Sequence, residues 1–258
     1  MYRELPTARV SVVIPVKDDV GYLERCLDAL ALQTYSPFEV IVVDNASSDS
    51  SAALAARRGA RVVSEREIGI PAASATGYDA ARGDIIARLD ADSVPGVTWI
   101  ASICELFARN PDAMAVTGRG ILMDDDGTAR QHSSRLYMRA YFWCVGLALG
   151  HPPLFGSTFA MRREAWLRVR SEVCRHDQRV HDDMDLSIHL GPENGIMVDR
   201  SLMVAVSSRP LALDGSAVKR YARGWYTIMR HWPREFPLAR LVRRSRAQRE
   251  SAQTQQLA

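Results

Sequence analysis

The residues best placed to do chemistry in this chain are the two carboxylates of Leu89-Asp90-Ala91-Asp92-Ser93. They follow the apolar run Ile85-Ile86-Ala87 and precede Val94-Pro95-Gly96, which reads as a turn ahead of a new helix. Side chains alternate along a strand, so Asp-x-Asp sends both carboxylates to one side. Such neighbours repel unless a cation sits between them, and a hard divalent ion shares its oxygen ligands readily with a phosphate. Mg²⁺ or Mn²⁺ held by Asp92 and Asp90 is the chemistry this pattern suggests; the competing role is a capping turn in which Asp92 or Ser93 starts the next helix. A second polar cluster gathers His176, Asp177, His181, Asp182, Asp183 and Asp185, and Leu186, Ile188 and Leu190 continue it as a helix. Acids suit a helix start, where the macrodipole is positive, and His181 with Asp183 or Asp185 is a further metal-binding combination.

The elements that must position these groups are legible upstream. Val10 to Val16 is a continuous apolar run, the mark of a strand buried on both faces, with Pro15 near its end. Leu23, Cys26, Leu27 and Leu30 recur at helical spacing, and Val40 to Val43 is a second buried strand ending in Asp44-Asn45. Ser47-Ser48-Asp49 predicts a cap for a short helix, Arg61 to Val63 a third strand, and Ala72 to Ala81 a helix leading into Ile85 to Leu89. Strand and helix alternating in this way call for a doubly wound, mostly parallel α/β sheet. Ligands bind outside the carboxyl ends of such strands. Here those ends carry Lys17-Asp18-Asp19, Asp44-Asn45 and Asp90-Ala91-Asp92. An acid-lined crevice with a cation suits a nucleotide whose base and ribose offer donors. The glycine-rich phosphate loops of dehydrogenases and P-loop ATPases are missing from these positions.

Beyond the Asp-x-Asp, Trp99 to Arg109 predicts a helix and Ala113 to Thr117 a strand, followed by an acidic turn from Met123 to Gly127. Ser134 to Leu149 is a helix with Tyr137, Tyr141, Phe142 and Trp143, read as core first and as an amphipathic lip for an apolar acceptor second. From Ser216 a basic helix runs through Tyr221, Trp225, Tyr226 and Trp232. From Lys219 to Glu250 there are ten Lys or Arg against two Glu, which leaves the rest of the chain with net charge −5 out of an overall +3. An acidic body with a basic tail, including Arg223, Arg230 and Arg240, points to an anionic surface, a membrane or a phosphorylated partner rather than nucleic acid; the alternative is a solvated helix that packs back onto the domain. The 258 residues divide into a domain over 1–215 and a basic appendage over 216–258. Cys26, Cys104, Cys144 and Cys174 have no C-x-x-C spacing, which suits neither a zinc site nor a disulfide framework. A cytoplasmic protein, peripheral on the inner membrane face, is the expected setting.

In order along the chain, these motifs resemble those of the family 2 glycosyltransferases, inverting enzymes with a GT-A fold. Val12-Val-Ile-Pro-Val-Lys-Asp-Asp19 looks like the family's first strand and turn, and Val42-Val-Asp-Asn-Ala-Ser-Ser-Asp49 like its V-D-D-x-S-x-D segment. Ala80-Ala-Arg-Gly-Asp84 with Arg88-Leu-Asp-Ala-Asp92, Gly156 to Arg163, and Asp182-Asp183-Met-Asp-Leu186 complete the likeness. The resemblance implies that Pro15, Val16, Asp19, Asp44 and Asp90 contact the nucleotide and that Asp92 and Asp90 hold Mg²⁺ or Mn²⁺. It further implies that Gly156, Ser157 and Asp182 form the donor and acceptor loop, with Asp183 as catalytic base. The chain departs from the pattern at Asp182 (Glu is usual), at Ser74-Ala75 (Arg-Asn is frequent) and at Ser207-Ser208, where many members carry a metal-binding His. The expected activity is a metal-dependent, hexosyltransferase-like reaction. It moves sugar from a nucleotide-diphosphate donor to a hydroxyl acceptor, a lipid-linked one among the candidates, in cell-envelope or polysaccharide synthesis. The alternatives are a sugar-1-phosphate nucleotidyltransferase and a non-catalytic nucleotide-sugar-binding protein of the same fold.

Overall fold

A computed structural model describes residues 8–124, 128–191, 195–208 and 215–232, together with Phe236, Arg240 and Val242. Of the acidic turn expected over Met123 to Gly127, Met123 ends a strand and residues 125–127 lie outside those described, as does most of the chain after 232. The first half runs β1 (Val10–Val16), α1 (Val20–Ala31), β2 (Glu39–Asp44), α2 (Ser51–Arg57), β3 (Arg61–Ser64), α3 (Ile70–Ala80), β4 (Ile85–Arg88), β5 (Ser93–Pro95) and α4 (Trp99–Arg109). The second half adds β6 (Ala115–Met123), α5 (Gln131–Leu149), β7 (Phe159–Arg162), α6 (Arg163–Val169), α7 (Asp182–Leu190), β8 (Ile196–Ser207) and α8 (Gly215–His231).

Among the described residues these strands make one eight-stranded sheet, in the order β3-β2-β1-β4-β7-β6-β8-β5. The neighbours β3, β2, β1 and β4 are all parallel. All their carboxyl ends therefore open on one edge, and Lys17-Asp18-Asp19, Asp44-Asn45 and Asp90-Ala91-Asp92 come together there. Helices cover both faces. Leu23, Cys26, Leu27 and Leu30 of α1 are all buried, as their spacing requires. On the other face α3 lies so close that a Cβ on Gly77 would come within 2.3 Å of Val13 Cγ1 and 2.8 Å of Val43 Cγ2. Only glycine fits that crossing.

Past β4 the sheet changes direction. β7 pairs antiparallel with β4, Arg88 opposite Phe159. This reversal brings the segment just before β7, Gly156 to Thr158, alongside the end of β4 and its two aspartates. Trp99 Nε1 donates to Thr158 Oγ1 at 2.9 Å, and Phe155 N to Thr117 Oγ1 at 2.9 Å, so the segment is tied to two other elements.

Three local expectations are corrected. Val94 and Pro95 of the expected Val94-Pro95-Gly96 turn belong instead to the edge strand β5, antiparallel to β8, and neither Asp92 nor Ser93 caps α4, whose N-cap is Thr98. No side chain of Ser47 or Ser48 caps α2; Asp49 Oδ1 instead accepts from Ser51 N at 2.9 Å. β8 is not expected from the sequence, because polar Asp199-Arg200-Ser201, the last two of them exposed, interrupts its apolar run and hides it.

Candidate active site

Two adjoining cavities open at the carboxyl edge. The first, about 300 Å³, is lined by Pro15, Val16, Lys17, Asp19, Asn45 and Ala73. The second, about 430 Å³, is lined by Tyr137, Tyr141, Gly156, Ser157, His181, Asp182, Asp183, Lys219 and Arg223 among others. Arg88, Asp90 and Asp92 border both. The Asp-x-Asp thus stands at the junction, as a shared cation would need.

On the first cavity, Pro15, Val16 and Asp19 line the wall where the sequence puts nucleotide contacts. The neighbouring acid has another task. Asp18, in a left-handed conformation (φ 52°), accepts from Ser48 N at 2.6 Å and from Ser48 Oγ at 2.9 Å. These bonds, backbone first, hold its carboxyl down at about 2. Asp18 ties the 47–49 loop to the end of β1 and leaves the cavity to Asp19. Asp44 accepts from Ser47 N at 3.3 Å and is not among the lining residues of either cavity. Asn45 is: it is buried, donates to Glu65 O and Glu67 O at 3.2 and 2.7 Å, and accepts from Gly69 N at 2.7 Å, fixing the approach to α3.

At the junction, sequence reasoning gave no role to the residue that organises it. Arg88 is 2% exposed and donates through Nη1 to Asp182 Oδ2 (2.7 Å), Ser74 Oγ (2.9 Å) and Tyr78 OH (2.9 Å), and through Nη2 to Asp90 Oδ1 (2.7 Å). Burial opposes its charge, yet Tyr78, Asp182 and Asp90 raise its pKa well above the ordinary arginine value. The signal was in the sequence: a single arginine inside an apolar strand needs buried acids to pair with. Ser157 Oγ donates to Asp90 Oδ2 at 2.8 Å, so both oxygens of Asp90 are held. Ser74, at the position where the family often has arginine, donates to Asp182 Oδ2 at 2.8 Å.

In the second cavity, Asp183 is 4% exposed. Its Oδ2 accepts from Gly156 N at 2.8 Å, and its Oδ1 forms an ion pair with His181 Nδ1. A Cβ on Gly156 would stand 3.0 Å from Asp183 Oδ2, so a side chain there presses on the carboxylate. Burial disfavours a charged His181, but the carboxylates of Asp183, Asp182 and Asp90 outweigh it and raise the imidazole to about 9. Asp182 and Asp183 do not diverge, as adjacent helical positions suggest they should. Ligand atoms of His181, Asp182 and Asp183 lie within 4.8 Å of one another, because the pair sits in the first turn of α7, at the cavity wall. Asp185 turns away: its Oδ2 accepts from Cys174 N at 2.7 Å and its Oδ1 from His231 Nε2 at 2.8 Å.

A sequence model of the family described as Glycosyl transferase family 2 matches residues 11–170. The chain belongs to that family. The match stops short of Asp182-Asp183, which rest on the motif likeness and the geometry above. Among curated relatives, glycosyltransferase AglE of Haloferax volcanii is 35% identical over 99 residues, covering 35% of this chain and 33% of the relative. An undecaprenyl-phosphate 4-deoxy-4-formamido-L-arabinose transferase of Pseudomonas aeruginosa is 34% identical over 154 residues, covering 56% of this chain and 44% of the relative. The chain therefore spans only about a third to under half of these relatives. Among solved structures, the mannosyltransferase PcManGT of Pyrobaculum calidifontis, in complex with GDP-Man and Mn²⁺, superposes with a TM-score of 0.65 at 20% identity, covering 86% of this chain and 64% of that one. Glucosyl-3-phosphoglycerate synthase of Mycobacterium tuberculosis, in complex with Mn²⁺, UDP and glucosyl-3-phosphoglycerate, gives 0.62 at 20% identity, covering 89% and 80%. At such identity these two establish a shared GT-A fold.

Proposed function

We propose that this protein is an inverting, metal-dependent glycosyltransferase that moves a sugar from a nucleotide-diphosphate donor to a hydroxyl acceptor in envelope or polysaccharide synthesis. The observation that carries the reading is the junction itself. Asp90 and Asp92 border a nucleotide-sized cavity on one side and, on the other, the cavity that contains Asp183. The donor set is all carboxylate oxygen, which fits Mg²⁺ or Mn²⁺. Asp92 would hold the ion, with Asp90 braced beside it by Arg88 and Ser157. When bound, such an ion neutralises charge on the departing diphosphate.

The chain's own residues supply the rest. Pro15, Val16 and Asp19 hold the nucleoside, and Asp44, behind them, orders the loop from 45 to 47. Asp183, fixed by the Gly156 N–H, takes the acceptor hydroxyl's proton as that oxygen bonds to the anomeric carbon. The bond from that carbon to the diphosphate breaks, and nucleoside diphosphate leaves with its electron pair. Attack from the side opposite the leaving group inverts the configuration. Asp182, locked by Arg88 and Ser74, keeps the first turn of α7 in register.

The acceptor side favours a lipid-linked substrate at an anionic membrane surface. The helix α5 exposes Leu136 (68%), Trp143 (67%) and Leu147 (57%), and α8 exposes Val218 (70%), Tyr221 (74%), Trp225 (62%) and Met229 (42%) in one strip. The purely core reading of α5 does not hold. Lys219 and Arg223, one flank further round α8, line the cavity of Asp183, where they suit a phosphate-bearing acceptor. Arg240 does not belong to the basic surface: it is 1% exposed and donates to Ile188 O at 2.6 Å. Among the described residues, no helix is long and apolar enough to cross a membrane.

The test is release of nucleoside diphosphate from a panel of nucleotide sugars with Mn²⁺, with and without a polyprenyl-diphosphate-linked sugar, whose hydroxyls are the acceptors. Diphosphate release that requires the acceptor supports the reading. Release of pyrophosphate from a nucleoside triphosphate and a sugar 1-phosphate would instead make the protein a nucleotidyltransferase. Binding without turnover would make it a binding protein.

A further inference from the structure

Away from the cavity, three segments bring together side chains that the transfer reaction does not use. Cys174 lies between α6 and α7, Asp185 and His189 stand one turn apart on α7, and His231 ends α8. Ligand atoms of Cys174, Asp185 and His231 lie within 4.8 Å of one another. Asp185 Oδ1 is the centre of the group, 2.8 Å from His231 Nε2 and 3.6 Å from His189 Nε2. The His189 and His231 rings meet edge to face at 5.0 Å.

We propose that Cys174, Asp185, His189 and His231 form a zinc site that clamps the catalytic helix α7 to α8.

Four features support a cation rather than a hydrogen-bonded cluster alone. First, His189 Nε2 is shut off from solvent and faces Asp185 Oδ1 at 3.6 Å, just beyond ordinary hydrogen-bond length. Second, the other nitrogen of that ring, Nδ1, lies 3.5 Å from Glu172 Oε2, the carboxylate-to-histidine arrangement that orients a zinc-binding imidazole. Third, Cys174 N donates to Asp185 Oδ2, which fixes the carboxylate and leaves Oδ1 turned to the histidines. Fourth, one thiolate and one carboxylate neutralise a divalent charge, so the loaded site carries no net charge in a region where Asp185 is 1% exposed.

The chemistry selects the metal. A thiolate with two imidazoles is too soft a set for Mg²⁺ or Mn²⁺ and suits tetrahedral Zn²⁺, at about 2.0–2.3 Å from each ligand. Ligand atoms then stand about 3.3–3.7 Å apart. The Asp185–His189 pair is already at that spacing, and the His231 contact opens by a fraction of an ångström. His189, which lies outside the mutually close group of Cys174, Asp185 and His231, closes on the other two as the fourth ligand. At present burial and the Asp185 charge push the Cys174 thiol up, with Arg230 opposing them. Binding releases that proton to solvent. The widely spaced cysteines gave no sign of such a site, because its ligands come from three segments far apart in sequence.

The measurement is metal content and Co²⁺ substitution on the full chain. Protein loaded with Zn²⁺ and passed over a desalting column should keep one equivalent. Co²⁺ in its place should show the ultraviolet thiolate-to-cobalt band. Cys174→Ser should lose the band and His189→Asn most of the retained zinc, while chelation should lower the melting temperature of the parent and not of Cys174→Ser. Asp92→Ala should keep both zinc and band, which separates this site from the nucleotide cation whatever the catalytic reading does. No retained zinc in folded parent protein, or an unchanged band in Cys174→Ser, overturns the proposal; so does loss of zinc in Asp92→Ala.

Discussion

The two flanks of the cleft are built on opposite principles. On the nucleotide side, β1 and β2 are packed from both faces: Val12, Val13, Ile14, Ile41, Val42 and Val43 are all 0% exposed, and α3 touches them through a glycine. On the acceptor side, α5 and α8 lean over the cavity with a row of large apolar side chains turned to solvent. A rigid wall suits a ligand whose base, ribose and diphosphate must be held at fixed distances from one ion. A flank left apolar and basic suits a partner that covers it, and under the proposed function that partner is a lipid surface presenting the acceptor. The same contrast explains why Arg88 matters: from β4 it bonds to Ser74 and Tyr78 of α3, to Asp90, and to Asp182 of α7, and the last of these joins the two flanks.

The largest expected effect is at the junction. Asp92→Ala should abolish turnover and erase any Mn²⁺ enhancement of nucleotide binding, with the far-ultraviolet dichroism unchanged. A variant with normal activity ends the metal assignment. Next comes Asp183→Asn, which keeps the size and removes the base. A positioned base contributes about 10²–10⁴-fold, so kcat should fall by that range while the Kd of nucleoside diphosphate stays within a few-fold. If the affinity fell in parallel, Asp183 would belong to the donor wall instead.

Arg88→Met tests the link between the flanks. Breaking a fully buried ion pair costs about 3–5 kcal/mol. Asp182 is well buried, but Asp90 is 35% exposed and solvent screens it, so a loss on the order of 2–3 kcal/mol is expected by denaturant unfolding. Adding Asp182→Asn should recover part of that loss, since the double variant leaves one fewer uncompensated carboxylate.

How much of this was legible follows from the same asymmetry. The strands of the nucleotide side are continuous apolar runs and its helices repeat apolar residues at 3.6-fold period, so β1, α1 and α4 lie where the pattern puts them. Asp90, Asp92 and Asp19 were readable because strand ends in a parallel sheet share one edge. Arg88 was overlooked because its partners, Ser74, Asp182 and Asp90, span 108 residues of sequence and only the fold brings them together. The Cys174, Asp185, His189 and His231 group was hidden for the same reason. Exposure of α5 was misread because a helix with four aromatics has the composition of a core; composition does not say what stands on its far side.

A paired substitution compares packing directly. Gly77→Ala puts a methyl group against Val13 and Val43, and overpacking of that kind costs about 1–3 kcal/mol. Leu136→Ser, on the exposed face of α5, should change stability by no more than about 0.5 kcal/mol. Equal losses at both positions would mean that α5 is packed in solution and that its apolar face is not a free surface.

The smallest effect concerns that outer surface itself. Val218 and Tyr221 make the most exposed part of the α8 strip, beside Lys219 and Arg223 at the cavity. If the strip meets a bilayer, its apolar side chains enter the headgroup boundary while the basic ones gain about 1 kcal/mol each from anionic lipid. Vesicles containing phosphatidylglycerol should then sediment the protein at low salt and release much of it at high salt, because charge between exposed groups is screened over about 10 Å at 0.1 M. Tyr221→Ser with Val218→Ser should weaken vesicle binding several-fold and leave the melting temperature and the kcat for a soluble acceptor unchanged. That split separates a docking strip from a packing defect, which would lower the melting temperature and leave vesicle binding intact. Parent protein that ignores anionic vesicles at every salt concentration would remove the lipid surface and leave the strip as the contact for another macromolecule.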